Sequence, residues 1–295
     1  MKEIEFYRHF KGNVYKILAE AKDSSTQEPI IVYQGLYGDS PIWARKKAEF
    51  FEDVDRNGKV QPRFKRISID EVDALVEPIY SPKYNFPRLD YTNEFTPLTD
   101  SLSSSVARMI KLLSGKQLLP VDFPLSPMTD DEIEDYILEK IRSYSEGDSL
   151  CDIFNAIQIW GGSSGRNIYN FSGGFNWATI EPQYRKLVES CLAIKENTDD
   201  TRTALAKATQ EFCAGTKNIN IAFATKHTRF WTYRVLGMNA LPIYDRIMAA
   251  GVMKHKEPTS KGLTKYWNIM TKVAEQLDVE LMPLERQLFK YFSSE

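Results

Sequence analysis

Ile219-Asn-Ile-Ala-Phe-Ala-Thr-Lys-His-Thr-Arg-Phe-Trp-Thr-Tyr-Arg-Val-Leu236, then Gly-Met-Asn-Ala-Leu, then Pro242-Ile-Tyr-Asp-Arg-Ile-Met248, is the stretch that decides the fold. The first run predicts a helix over about Lys217–Tyr233. The turn Leu236–Pro242 ends it, and Pro242 and Asp245 suit the start of the next helix, expected over Tyr244–Ala250. Lys226 and Asp245 are 19 residues apart. That spacing sets an amine on one helix and a carboxylate at the head of the next, a compact way to place both in one cleft. An amine beside a carboxylate can attack an electrophilic carbon and stabilise the cation that forms there. Phe223, Phe230 and Trp231 would desolvate Lys226 and favour its neutral form. His227, next in sequence, points about 100° around the helix from Lys226.

Working outward, helical patterns fill the chain from about Ser104 onward. Ser104–Leu113 is short and amphipathic. Thr129 or Asp130 caps a helix whose first turn carries acids, favourable at a helix N-terminus. Asp148 is expected to cap Ser149–Trp160. Further helices fit Pro182–Lys195, Thr201–Cys213, Leu263–Leu277 and Pro283–Phe292. One longer loop, Gly161–Trp177, is rich in glycine and aromatic residues. Strand patterns are nearly absent, so residues 104–295 read as an all-α domain.

Residues 1–67 differ. Val14–Ala19, Pro29–Gln34 and the stretch around Ile42–Trp43 are short and rich in β-branched and aromatic residues, with turn signals between them. Ala44–Val54 is a short helix or an irregular connection. A small barrel-like β module is the expected form. Residues 68–103 form an acidic connector, with a short helix over Asp70–Glu77 and then prolines and serines that disfavour regular structure. The fold class is α+β overall: a β-rich N-terminal domain, a connector and a helical domain.

At 295 residues, with 42% hydrophobic and 26% charged side chains, the chain can build ordinary cores. The longest apolar runs fall short of a membrane span, and the N-terminus lacks a signal-peptide core, so a cytoplasmic monomer without membrane contact is expected. Cys151, Cys191 and Cys213 lack metal-site spacing and are expected as reduced thiols; no metal or cofactor is implied. The net charge of −2 hides a segregation of +3 over residues 1–67, −9 over 68–150 and +4 over 151–295. From Phe212 to Tyr244 there is no Asp or Glu, while Lys217, Lys226, Arg229 and Arg234 all fall there. Such a stretch is either an ordinary solvated helix face or a contact for a polyanion.

Two resemblances extend this. Tyr7-Arg-His-Phe-Lys-Gly-Asn-Val-Tyr15, Val32-Tyr-Gln-Gly-Leu-Tyr-Gly38, Trp43-Ala-Arg45 and Pro62-Arg-Phe64 together resemble DUF1653, a small bacterial domain without established activity. The family pattern after the tryptophan is closer to W-V-R-P, where this chain has W-A-R-K-K. The frame T-K, turn, P-I-Y-D resembles the catalytic core of helix-hairpin-helix DNA glycosylases, in the 8-oxoguanine DNA glycosylase-like branch. There a lysine precedes an aspartate at about this separation. The resemblance covers roughly residues 104–295 and is strongest at 220–250; Phe154–Arg166 is also similar to bacterial proteins of that branch. The usual L-P-G-V-G hairpin is replaced by Ile219-Asn-Ile-Ala-Phe-Ala224.

The resemblance implies an enzyme that bends double-stranded DNA, extrudes one nucleotide and excises its modified base. Lys226 then matches the nucleophile and Asp245 the stabilising carboxylate. Loss of the amine's role would leave a water route and a plain abasic site. Lys217, His227, Arg229, Arg234, Arg166 and Asn155 become candidate DNA contacts. Trp160, Tyr169, Phe171, Phe175 and Trp177 become candidates to stack on the base, although aromatics of this kind also build cores. The implied substrate is an oxidised purine such as 8-oxoguanine, or a hypermodified phage base such as glucosylated hydroxymethylcytosine, the latter in antiphage defence. The alternatives are a catalytically inactive DNA-binding or modified-base reader protein and a different lysine-dependent lyase.

Overall fold

A computed structural model of the chain describes residues 4–56, 58–124, 129–170 and 174–294. The chain divides into two compact units, Met1–Phe86 and Pro87–Glu295.

In the first unit, β1 (Phe6–His9), β2 (Val14–Lys22), β3 (Pro29–Gly35) and β4 (Ile42–Lys46) precede helix α1 (Lys47–Phe50). Strands β5 (Asp53–Arg56), β6 (Lys59–Pro62) and β7 (Phe64–Ile67) follow, then helix α2 (Ile69–Leu75). Five antiparallel strands form one sheet in the order β4-β3-β2-β1-β7, while β5 and β6 pair only with each other. This order leaves β4 and β7 as edges, so the barrel expected from sequence is an open sheet. Its strands bury residues on both faces. Along β1, Phe6 joins Val14, Leu36 and Ile67 on one side, and Tyr7 joins Ile31, Tyr33, Phe50 and Phe64 on the other. The Phe50 and Phe64 rings stack with centroids 4.1 Å apart. The first side is sealed by Val72 of α2, a helix started by a Ser68–Glu71 capping box. The start of the expected connector therefore belongs to this unit's core.

The second unit is helical, with no strand among its described residues. Its helices are α3 (Ser104–Gly115), α4 (Asp130–Ser143), α5 (Leu150–Trp160), α6 (Asn167–Asn170), α7 (Trp177–Leu192) and α8 (Asp199–Gly215). Then come α9 (Ile221–Leu236), α10 (Arg246–Gly251), α11 (Leu263–Leu277) and α12 (Leu281–Ser294). Thr129 caps α4 in a capping box, as its acidic first turn suggested. Ser149, not Asp148, caps α5, because Asp148 accepts the Ser145 N–H instead. Helix α7 begins five residues before the expected Pro182, which sits inside it. The loop Gly161–Trp177 is partly helical, containing a 3₁₀ turn at Ser163–Arg166 and α6.

The remaining connector residues, 87–103, are strapped onto the helical unit. Leu98 and Thr99 donate backbone N–H groups to Asp131 at 2.8 and 3.2 Å, and Ser103 donates to Asp130 at 2.9 Å. Asn93 accepts the Glu280 N–H at 2.7 Å. The acids at the head of α4 thus hold this segment. At the centre lies α9, packed against α4, α5, α7 and α8.

Candidate active site

Asn220 starts α9 by accepting the Phe223 N–H at 3.0 Å, and Gly237 ends it at φ +58°, where a side chain would be strained. Helices α8 and α9 are joined by the turn Thr216–Asn220, in which Asn218 takes the left-handed conformation at φ +65°. From Phe223 to Thr232 every residue of α9 is buried except Lys226. A lysine alone on an otherwise buried helix surface opens onto a cavity of about 250 Å³, lined among others by Trp160, Gly161, Lys226, Ile243, Asp245, Met248 and Phe289. At ~30 Å³ per water that is room for roughly eight waters, or one heterocyclic base.

The Lys226 amine lies 5.2 Å from the ring centroids of both Trp160 and Phe223. Burial pushes its pKa below the usual lysine value, with Arg229 adding to the effect; Asp245 and Glu285 oppose it. Asp245 caps α10, accepting the Met248 N–H at 3.0 Å. Among the described residues, no direct ion pair joins Lys226 to Asp245. The two groups line the same cavity.

The segment that carries Asp245 is tied on every side. Thr232 accepts the Leu241 N–H at 3.1 Å and Thr225 accepts the Tyr244 N–H at 3.1 Å, both from α9. From α11, Trp267 donates to Pro242 O at 2.8 Å and Tyr266 to Ile243 O at 2.9 Å. Glu285 accepts the Ile243 N–H at 2.5 Å. Every backbone N–H from Ala240 to Tyr244 has a partner, so Asp245 is held in place rather than carried on a loose loop.

A buried charge network forms part of the cavity wall, which Arg229, Glu285 and Arg286 line. Glu134 binds Arg229 at 2.7 Å and Arg286 at 2.5 Å, Glu285 binds Arg229 at 3.1 Å, and Asp131 binds Arg286. Arg229 was a candidate DNA contact; the structure commits it to this network instead. His227 is likewise buried. Its ring meets Gln158 at 3.0 Å and the Tyr184 hydroxyl at 3.1 Å, and burial, helped by Lys226, pushes its pKa down to about 3. Asn155 is buried and holds Leu118 O and the Tyr169 hydroxyl. All three side chains are almost fully buried. Arg234 spends its guanidinium on Ile141 O and Tyr144 O, at the end of α4. Arg166 and Lys217 are exposed.

Of the aromatic candidates, Trp160 lines the cavity. Tyr169, Phe175 and Trp177 instead form an aromatic cluster with Phe154, because α6 and the start of α7 fold back onto α5. Phe171 lies outside the described residues. The glycines serve close packing: a Cβ on Gly161 would come 2.5 Å from the Phe223 ring, and one on Gly162, at φ +77°, 2.5 Å from Ser105 Oγ. Glu134, Glu285, Arg286 and Thr225 escape a sequence reading. The one local signal is a charged pair, Glu285-Arg286, inside the apolar run Leu281–Leu288.

Among the described residues no three His, Cys, Asp or Glu are grouped to hold a metal ion, and no helix is long and apolar enough to cross a membrane.

Residues 5–66 match the family described as protein of unknown function, DUF1653. No curated protein and no solved structure matches the chain. Within the DUF1653 segment, Lys46 stands where the family pattern has proline. Its φ of −52° lies within the range that proline adopts. Lys46 also pairs with Glu28 at 2.7 Å, a contact proline would not make.

Proposed function

We propose that the helical unit is a DNA glycosylase that encloses an extruded, modified base and cuts its N-glycosidic bond. The observation that carries this is the placement of Lys226, its pKa lowered by burial, in one base-sized cavity with Asp245. A lowered pKa raises the share of neutral amine at neutral pH, and only the neutral amine has an electron pair to give.

In the proposed reaction the Lys226 nitrogen attacks C1′ of the extruded nucleotide. The C1′–N bond breaks, and its electron pair leaves with the base, which then takes up a proton. The Asp245 carboxylate stabilises the positive charge that builds on the sugar ring as the base departs. Ring opening leaves an imine between Lys226 and C1′, from which β-elimination can break the 3′ phosphate bond. The anchoring of residues 240–245 favours this step, because a fixed carboxylate needs no reorganisation as charge develops. The base is proposed to be an oxidised purine such as 8-oxoguanine or a hypermodified base such as glucosylated hydroxymethylcytosine. In the second case the protein would act against phage DNA.

The test incubates the full chain with duplexes carrying defined modified bases, with and without borohydride, and with phage DNA bearing or lacking the sugar. A trapped adduct that disappears in Lys226→Gln is expected. Its yield should rise with pH as Lys226 loses its proton, with a midpoint below the ~10.4 of an ordinary lysine. Base release that survives Lys226→Gln but is lost in Asp245→Asn would replace the imine by a water route. Binding without release from any duplex would make the protein a modified-base reader.

A further inference from the structure

The sheet unit leaves one of its edges open to a further strand. Strand β4 stands at one end of the five-stranded order and pairs with β3 on one side only. Gly35 of β3 donates its N–H to Pro41 O at 2.9 Å, which makes these two a hydrogen-bonded pair of the antiparallel ladder. Such pairs alternate along the ladder, so Tyr33 with Trp43 and Ile31 with Arg45 are hydrogen-bonded pairs too. The backbone N–H and C=O groups of Ile42, Ala44 and Lys46 then point away from β3. No backbone group outside the ladder meets them among the described residues.

Sheet edges are usually guarded by charge. The edge at β7 is, with Lys65 and Arg66 exposed along it. The first half of β4 is not: Ile42 is 62% exposed, Trp43 50%, and Ala44 beside them is exposed as well.

Strand β4 is also complementary to itself. Turned end for end about Ala44, Ile42-Trp43-Ala44-Arg45-Lys46 sets Trp43 opposite Arg45 of a second copy and Ile42 opposite its Lys46. Trp43 and Arg45 share one face of the sheet, and Ile42, Ala44 and Lys46 the other. Across the new ladder Trp43 and Arg45 form a non-hydrogen-bonded pair, the kind whose side chains lie closer, and a guanidinium against an indole face is favourable. The Lys46 stem covers the exposed Ile42 while its amine stays in water. Ala44, the smallest side chain of the strand, falls at the two-fold axis. Each cation already has an acid of its own, Arg45 with Glu49 at 3.3 Å and Lys46 with Glu28 at 2.7 Å, so pairing brings no bare like charges together.

We infer that β4 is a self-association edge, through which two copies of the chain pair antiparallel over Ile42–Lys46 and join their sheets across a two-fold axis. This departs from the monomer expected from sequence. A strand of five residues is small beside the roughly 800 Å² per partner of a standard interface, so the dimer is a weak one, with a dissociation constant in the micromolar range.

The test is sedimentation equilibrium of the full chain from about 1 to about 200 µM, across which the mass should rise from monomer towards dimer. Lys46→Pro removes an outward N–H and sets a ring in its place, while the φ of −52° at Lys46 already suits proline. It should weaken the dimer by about tenfold or more, since the two-fold axis removes the bond twice. Lys46→Ala loses the exposed pair with Glu28 but keeps the N–H, and should weaken it by less than about threefold. Trp43→Ala leaves every backbone group in place and should weaken it severalfold, which keeps the test decisive where circular dichroism shows the proline variant misfolded. A monomer at every concentration overturns the inference. So does a dimer that Lys46→Pro and Trp43→Ala leave unchanged, because the contact then lies elsewhere. Equal losses in Lys46→Ala and Lys46→Pro overturn it as well, because the lysine side chain and not the strand edge would then hold the copies together.

Discussion

The two units handle charge in opposite ways. In the sheet unit, ion pairs such as Lys47–Glu20 and Lys46–Glu28 sit on the surface, each partner more than 40% exposed. In the helical unit, Glu134, Arg229, Glu285 and Arg286 are buried together beside the cavity. A surface pair is screened by water and adds little to stability. A buried network costs desolvation when it forms, and breaking one member strands the others without solvent. The sheet is held by two hydrophobic clusters, one mostly aliphatic around Phe6 and one mostly aromatic around Phe50. The helical unit keeps costly charges, and through Glu285 and Ile243 they connect to the segment bearing Asp245. In the second unit, stability and the candidate site are joined.

That contrast can be broken experimentally, and the largest effect is expected inside the network. Glu134→Ala leaves Arg229 and Arg286 without their shared carboxylate and should destabilise the helical unit by about 3–5 kcal/mol, read from urea unfolding followed by tryptophan fluorescence. A loss below about 1 kcal/mol would mean the network is no more than a surface pair. The next effect comes from His227. Its folded pKa is depressed to about 3, against ~6.5 unfolded, so as pH falls below 6.5 the unfolded chain gains a proton that the folded chain refuses. Stability should fall by about 1.4 kcal/mol per pH unit in that window, near 2 kcal/mol by pH 5, and the slope should flatten in His227→Asn.

Smaller again is Thr225→Val. It leaves the Tyr244 N–H buried and unpaired, which should cost about 1–3 kcal/mol. If the helical unit is the proposed glycosylase, the substitution should also slow base release more than it weakens DNA binding, since Asp245 follows Tyr244; equal losses in both would separate the anchoring from the chemistry. Smallest is Lys47→Ala in the sheet unit, expected to change stability by less than about 1 kcal/mol. A larger change there would erase the difference between the units.

Much of the fold was legible because its signals are local. Thr129 before the acidic first turn of α4, and the β-branched and aromatic runs that became β2 and β3, are visible within a few residues of one another. Errors arose where the deciding partner is distant. Arg229 looks like a solvated cation until Glu134 and Glu285 are brought to it from 95 and 56 residues away. Tyr169 looks like a stacking platform until Asn155 takes its hydroxyl. The connector looks unstructured because its order comes from α2 packing on one sheet face and from Asp130 and Asp131 on the other segment, not from any periodicity of its own.

The amino-acid order alone established two units of different class, most helix starts, and a lysine and an aspartate at the spacing of one helix and one turn. Those are consequences of backbone geometry over short distances, which the chain carries with it wherever it goes. Tertiary packing alone decided that Lys226 is the one open position on a buried helix run and that Asp245 is tied in place. Burial and desolvation are properties of the whole assembly of helices, and no single segment contains them.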